Sequence, residues 1–208
     1  MLLVIETATA ACSVALLDTD GTLIDERHEV VGRGHAERLV PMIQELLVGR
    51  RPAAILVDCG PGSFTGIRVG LAAAQGLAIG WGAPVAGFSS LALLAAMSGG
   101  TEIAAALHGG HGELFVQDYR GDPLAPLAPL RSLRPEAAAE AIGGGTVIGP
   151  AAELLVGLRG HGQAIHALPR AAEARRLPES LRSLPPRPIY GRVPDAKPAR
   201  SRIEGAKA

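Results

Sequence analysis

The sequence predicts a mixed α/β fold, and three observations carry that prediction. Short apolar runs of strand length alternate with stretches whose apolar residues recur at helical spacing. Over roughly the first hundred residues the order is strand, strand, strand, helix, strand, helix, strand, helix, which is an α/β unit rather than a bundle or a sandwich. The 208-residue chain is 48% hydrophobic, 19% charged and only 3% aromatic, so its core must be built from aliphatic residues and alanine.

Leu2–Thr7 is the first apolar run and ends in a small polar loop, Thr7-Ala8-Thr9-Ala10-Ala11. Cys12–Leu17 reads as a second strand. Asp18-Thr19-Asp20-Gly21 is a turn, because Asp and Gly tolerate the positive φ of a tight hairpin. Thr22–Val31 alternates apolar and charged residues, as a partly exposed strand does. His35–Val48 is a helix with Leu39, Ile43, Leu46 and Leu47 on one face, and Pro41 should bend it or delay its start. Ala53–Cys59 is a buried strand that runs into the loop Gly60–Gly66, and a long helix follows from Ile67 to about Trp81. Pro84–Phe88 is a strand, and Ser89 or Ser90 caps a helix to Met97. Ser98-Gly99-Gly100 is the expected boundary between an N-terminal half, 1–98, and a smaller C-terminal half, 101–193. In the second half Glu102–Leu107 and Glu113–Tyr119 read as strands around a glycine-rich turn. Pro135 opens a short helix that Gly143 ends. Thr146–Ile148 is a strand, Ala151–Leu158 a helix, Ala164–Ala167 a strand, and 170–184 one or two short helices. The polar tail, 194–208, is expected to be disordered.

Composition excludes several classes of function. The 20 basic and 20 acidic residues cancel, so the chain lacks the basic excess of a stand-alone nucleic-acid binder. Its two lysines, Lys197 and Lys207, both lie near the C-terminus, which rules out a P-loop lysine or a Schiff-base lysine in the folded body. Two cysteines, Cys12 and Cys59, are too few for a disulfide framework or a zinc cluster. No H-E-x-x-H or G-x-S-x-G occurs, so a peptidase has no motif to rest on. No run is long enough for a membrane span or a signal segment, and a cytoplasmic location without membrane contact is expected.

The strongest local signal is Cys59-Gly60-Pro61-Gly62-Ser63-Phe64-Thr65-Gly66-Ile67-Arg68, where a buried strand meets a helix N-terminus. Converging backbone N–H groups there could hold an anion; equally, the glycines could let the helix pack tightly on its sheet. Gly60, Gly62 and Ser63, with Glu6, Thr7 and Thr9 of the first loop, are therefore the candidate anion- or nucleotide-binding residues. The following helix carries small residues every four positions, Gly66, Gly70, Ala74 and Ala78. Such a stripe permits close backbone approach, either by the chain's own sheet or by another subunit. His35 reads as a helix-start residue, and His108 and His111 without a neighbouring carboxylate or thiol make only a weak metal signal.

Leu3-Val4-Ile5-Glu6-Thr7-Ala8-Thr9, His35–Ile43, Gly60–Arg68, Gly70–Ala78, Ser89-Ser90-Leu91 and Pro188-Ile189-Tyr190 together resemble the TsaB (YeaZ) family, bacterial partners in threonylcarbamoyladenosine modification of tRNA. The match is strong over 1–97 and thin beyond. The resemblance implies an actin-like ATPase (ribonuclease H-like) fold of two related mixed-sheet halves. It implies a non-catalytic scaffold that pairs with a catalytic paralogue, TsaD, is joined by the ATPase TsaE, and meets tRNA only through the complex. Pairing in the family uses the first two helices, which carries over to His35 and Leu39 on one and Ile67, Gly70, Leu71, Ala74 and Ala78 on the other. A homodimer is expected when the partner is missing. The paralogue's metal-binding H-x-x-x-H falls on Ser89–Ala95 here, where there is no His. No catalytic residue, metal or tightly held cofactor is therefore expected, and any nucleotide binding should be weak. Glu6 where Asp is commoner, Cys59 where Arg or Gly is usual, and His108-Gly109-Gly110-His111 depart from the family pattern. The alternative is a nucleotide-using enzyme of the same fold, a small kinase or a carbamoyl transferase.

Overall fold

The computed structural model describes residues 1–191; the tail, 194–208, lies outside the described residues. The first half opens with β1 (Leu2–Glu6), β2 (Ala11–Leu17) and β3 (Leu23–Val30). Then come α1 (His35–Leu47), β4 (Ala54–Asp58), α2 (Phe64–Trp81), β5 (Val85–Phe88) and α3 (Ser90–Ser98). The strands form one sheet in the order β3-β2-β1-β4-β5. β1, β2 and β3 pair antiparallel, and β1, β4 and β5 run parallel.

Two sequence expectations are corrected in this half. α2 begins three residues before Ile67, because Ser63 caps it and its Oγ accepts the N–H of Gly66 at 3.2 Å. Pro41 does not delay α1; it sits inside the helix, which starts at His35, and Gly34 at φ 124° takes the N-cap position.

The second half consists of β6 (Glu102–His108), β7 (Leu114–Arg120), β8 (Ala125–Pro126), β9 (Arg131–Leu133), α4 (Pro135–Ala141), β10 (Thr146–Ile148), α5 (Ala152–Arg159) and β11 (Gln163–Ile165). Its sheet order is β11-β10-β6-β7-β8, with β9 also on β7. β6 is thus the counterpart of β1: an antiparallel neighbour follows it directly, and two parallel strands reach it through crossover helices. Two mixed sheets of one connectivity, each with parallel strands delivered by helices, make this the actin-like ATPase, ribonuclease H-like fold. β8 and β9 have no counterpart in the sequence reading, since two or three residues carry no periodicity and pairing with β7 defines them.

Strand alternation sorts the core into layers. Leu3 and Ile5 of β1 pack under α1 and α2 with Val14, Leu16, Ile55 and Val57. Val4, Leu17 and Leu56 face the other way, onto α3 and the second sheet. α4 and α5 cover the far side of the second sheet through Ala138, Ile142 and Leu155. α3 is apolar all round because it lies between the sheets, where Leu91, Leu93 and Leu94 are fully buried. A 3-10 turn, Ala171–Arg176, shares that middle layer. It is held to the first sheet, where Ala171 N–H donates to Ser13 Oγ at 3.0 Å and Arg170 pairs with Glu26. After a second turn, Glu179–Leu181, the chain returns to the edge of β5, where Leu184 and Gly87 exchange backbone hydrogen bonds of 3.0 and 2.7 Å.

Candidate functional site

The loops after β1 and β4 lie side by side, because β1 and β4 are parallel neighbours in register from Leu2↔Ala54 to Ile5↔Val57. They are laced together. Ser63 N–H donates to Ala8 O at 2.7 Å, and Thr7 Oγ1 donates to Gly66 O at 2.8 Å. A Cβ at Gly62 would collide with the carbonyl of Ala8, and one at Gly66 with the carbonyl of Thr7. Loop-on-loop packing therefore requires glycine at 62 and 66. Gly60, at φ 95°, donates its N–H to Asp58 Oδ1 at 2.6 Å. Ala8 N–H donates to Glu6 Oε1 at 2.8 Å, and Ala11 N–H to Thr9 Oγ1 at 3.3 Å.

Of the donors expected to converge on an anion, the N–H groups of Gly60, Ser63 and Gly66 bond within the protein. Glu6 and Thr7 are buried, so neither presents a side chain to solvent, and an anion would have to displace the bonds of Gly60, Ser63 and Gly66. Glu6 points inward, to a partner the sequence reading missed. Asp58 ends β4 on the same face, fully buried, and Ser90 Oγ donates to it at 2.9 Å from the first turn of α3. Burial, with the Asp58 charge beside it, raises the Glu6 carboxyl well above the usual range; burial pushes Asp58 up to about 7. The only sequence sign was an acidic residue closing each of two apolar runs, Ile5-Glu6 and Val57-Asp58. Cys59 is buried, and desolvation pushes its thiol up to about 12, as it does for Cys12.

Most residues expected at a partner contact face the chain's own core. His35 is buried with Nε2 3.0 Å from Ala11 O; Leu39, Ile67, Leu71 and Ala74 lie in the cluster under α1 and α2. Gly70 abuts Thr7, and Ala78 is half-buried. The outward face of α2 is a different stripe: exposed Ala72, Gly76 and Gly80, both glycines facing open space, and Ile79 at 86% exposure. On α1, Val40 is also exposed.

The C-terminal segment crosses the loops. Ile189 N–H donates to Cys59 O at 2.7 Å, and Gly191 lies against Phe115 of the second half. Tyr190 Oη accepts from Arg68 at 3.1 Å, and the Arg68 guanidinium stacks 3.7 Å above the exposed Phe64 ring. Phe64 and Tyr190 ring centres are 6.0 Å apart. This small cluster joins residues 122 positions apart, which no local pattern could have revealed. Among the described residues no group of three metal-ligating side chains occurs, and no helix is long and apolar enough to cross a membrane.

Comparisons with known proteins agree with this architecture. A family model described as TsaD, tRNA N6-adenosine threonylcarbamoyltransferase, matches residues 27–123. The tRNA threonylcarbamoyladenosine biosynthesis protein TsaB of Escherichia coli is 39% identical over 130 residues, 58% of this chain and 55% of that protein. TsaB of Haemophilus influenzae is 45% identical over 100 residues, 45% of this chain and 41% of that protein. The matches thus span about half the length of these two curated relatives. The solved structure of YeaZ from Pseudomonas aeruginosa superimposes with a TM-score of 0.72 at 30% identity, over 85% of this chain and 89% of that one. A shared fold along most of both chains, with identity at this level, means that the chain belongs to the TsaB (YeaZ) family.

Proposed function

We propose that this protein is a non-catalytic subunit in the synthesis of threonylcarbamoyladenosine on tRNA, acting in the cytoplasm. It pairs with a TsaD-type transferase, is joined by a TsaE-type ATPase, and meets tRNA through the assembly. Its N-terminal half, 1–98, carries the partner contact, and the chain forms a homodimer when alone. The family names of its relatives and its match to the transferase model support the pathway and the paralogous partner. The observation that carries the pairing is the outward face of α2, where Ala72, Gly76 and Gly80 leave the backbone bare around an exposed Ile79. A smooth face of this kind allows close helix approach, and the exposed Ile79 beside it supplies the apolar surface an interface core buries. The non-catalytic reading is supported by loops in which the Gly60, Ser63 and Gly66 N–H groups bond within the protein, and by an α3 start without histidine.

Light scattering on the chain alone and mixed with its cognate TsaD-type protein tests this. Ile79→Arg should stay folded and lose both self-association and the heterodimer. Normal pairing by that variant would remove α2 from the interface. Titration calorimetry with ATP and magnesium addresses the alternative, a nucleotide-using enzyme. Negligible heat at millimolar nucleotide is expected, and saturable binding with turnover would favour the alternative.

A further inference from the structure

Glu6 and Asp58 stand one step beyond the register pair Ile5↔Val57, on neighbouring parallel strands. Both point to the inner face that Val4 and Leu56 share, and both are fully buried. One oxygen of each is satisfied: Glu6 Oε1 by Ala8 N–H, and Asp58 Oδ1 by Gly60 N–H and Ser90 Oγ. The other oxygens, Glu6 Oε2 and Asp58 Oδ2, receive no donor from any described residue. The two groups lie within hydrogen-bonding reach of each other. Two bare carboxylates in contact inside a core would leave two acceptors unpaired and two like charges desolvated.

We propose that Glu6 and Asp58 share one proton at neutral pH, with Glu6 the neutral acid donating from Oε2 to Asp58 Oδ2. This bond latches the β1 loop, the β4 loop and the start of α3 together. One proton satisfies both orphaned oxygens at once. Its assignment follows from the donors: Asp58 collects a hydroxyl and backbone N–H groups of Gly60 and Ser90, which stabilise a charge, whereas Glu6 has backbone donors alone, from Ala8 and Thr9. The neighbouring titratable groups do not intervene. Cys12 of β2 and Cys59 after β4 are neutral thiols, α3 contributes the Ser90 hydroxyl, and among the described residues no cation acts on either carboxyl. Loss of the proton to solvent at high pH leaves two adjacent carboxylates and drives the loops apart.

Folding therefore takes up one proton, since both carboxyls are ionised in the unfolded chain above the ordinary carboxylate range. The unfolding equilibrium constant should then rise about tenfold per pH unit through the neutral range because of this pair alone. The experiment uses the full chain, Glu6→Gln and the control Glu153→Gln, an exposed position. Infrared spectroscopy at neutral pH reads the carbonyl stretch of a protonated carboxylic acid, and urea unfolding is followed against pH. The expected result is a protonated-acid band in the wild type and the control but not in Glu6→Gln, whose unfolding constant gains about tenfold less per pH unit. If Glu6→Gln does not fold, the double variant Glu6→Gln/Asp58→Asn, in which two amides can pair, removes both carboxyls and is read in the same two ways. Absence of a band that these variants remove, or parallel pH dependences in all chains, overturns the proposal.

Discussion

Glycine 66 and glycine 76 occupy one helix and obey opposite rules. In a helix interior Gly costs about 0.5–1 kcal/mol relative to Ala. At position 76 a Cβ meets open space, so Gly76→Ala should stabilise the protein by about that amount. At position 66 a Cβ runs into the carbonyl of Thr7, so Gly66→Ala should destabilise by about 1–3 kcal/mol in spite of its better propensity. Urea unfolding of the two variants checks the signs, and equal shifts would mean the loop has room. The sequence showed a glycine at each position and offered no way to rank them. Ranking needs the neighbour, which is 59 residues away in the case of Thr7 and Gly66.

At the scale of the element, α2 carries two small-residue stripes, and the sequence does not say which of them faces the sheet. Gly66, Gly70 and Ala74 recur at the spacing that marks a close approach, and the approach is to β1 and its loop. The outward stripe, Ala72, Gly76 and Gly80, has the same four-residue period. A single helix shows both periods equally well, so the face that meets the sheet is a tertiary fact. Ala74→Arg is accordingly expected to unfold the protein, because Ala74 is 0% exposed, whereas Ile79→Arg is expected to leave it folded and unpaired. Circular dichroism beside light scattering separates the two outcomes. The start of α2 belongs here too: Ser63→Ala removes the Oγ that accepts from Gly66 and should cost about 1 kcal/mol in urea unfolding.

Across the whole molecule, the two sheets share one middle layer. α3 and the Ala171–Arg176 turn pack against both, and the segment through Leu184, Ile189 and Gly191 ties β5, the β4 loop and Phe115 together. Heat or urea should therefore unfold both halves in one transition. Fluorescence of Trp81, the single tryptophan, reports the first half and far-ultraviolet dichroism reports both; separated midpoints would contradict a shared core. The sequence was informative wherever period and length suffice. β1 to α3 were readable to within a few residues, because alternation and the 3.6-residue repeat are local consequences of burying one face. The glycine block was readable as a place of close approach, because only a missing Cβ allows one. What lay against each face was decided by the tertiary structure: the inward choice of α2, the meeting of Glu6 with Asp58, the short strands on β7 and the return of Tyr190 to Arg68. Each of these depends on which distant segment packs there, and a hydrogen bond or a collision between residues far apart in the chain leaves no periodic trace along it.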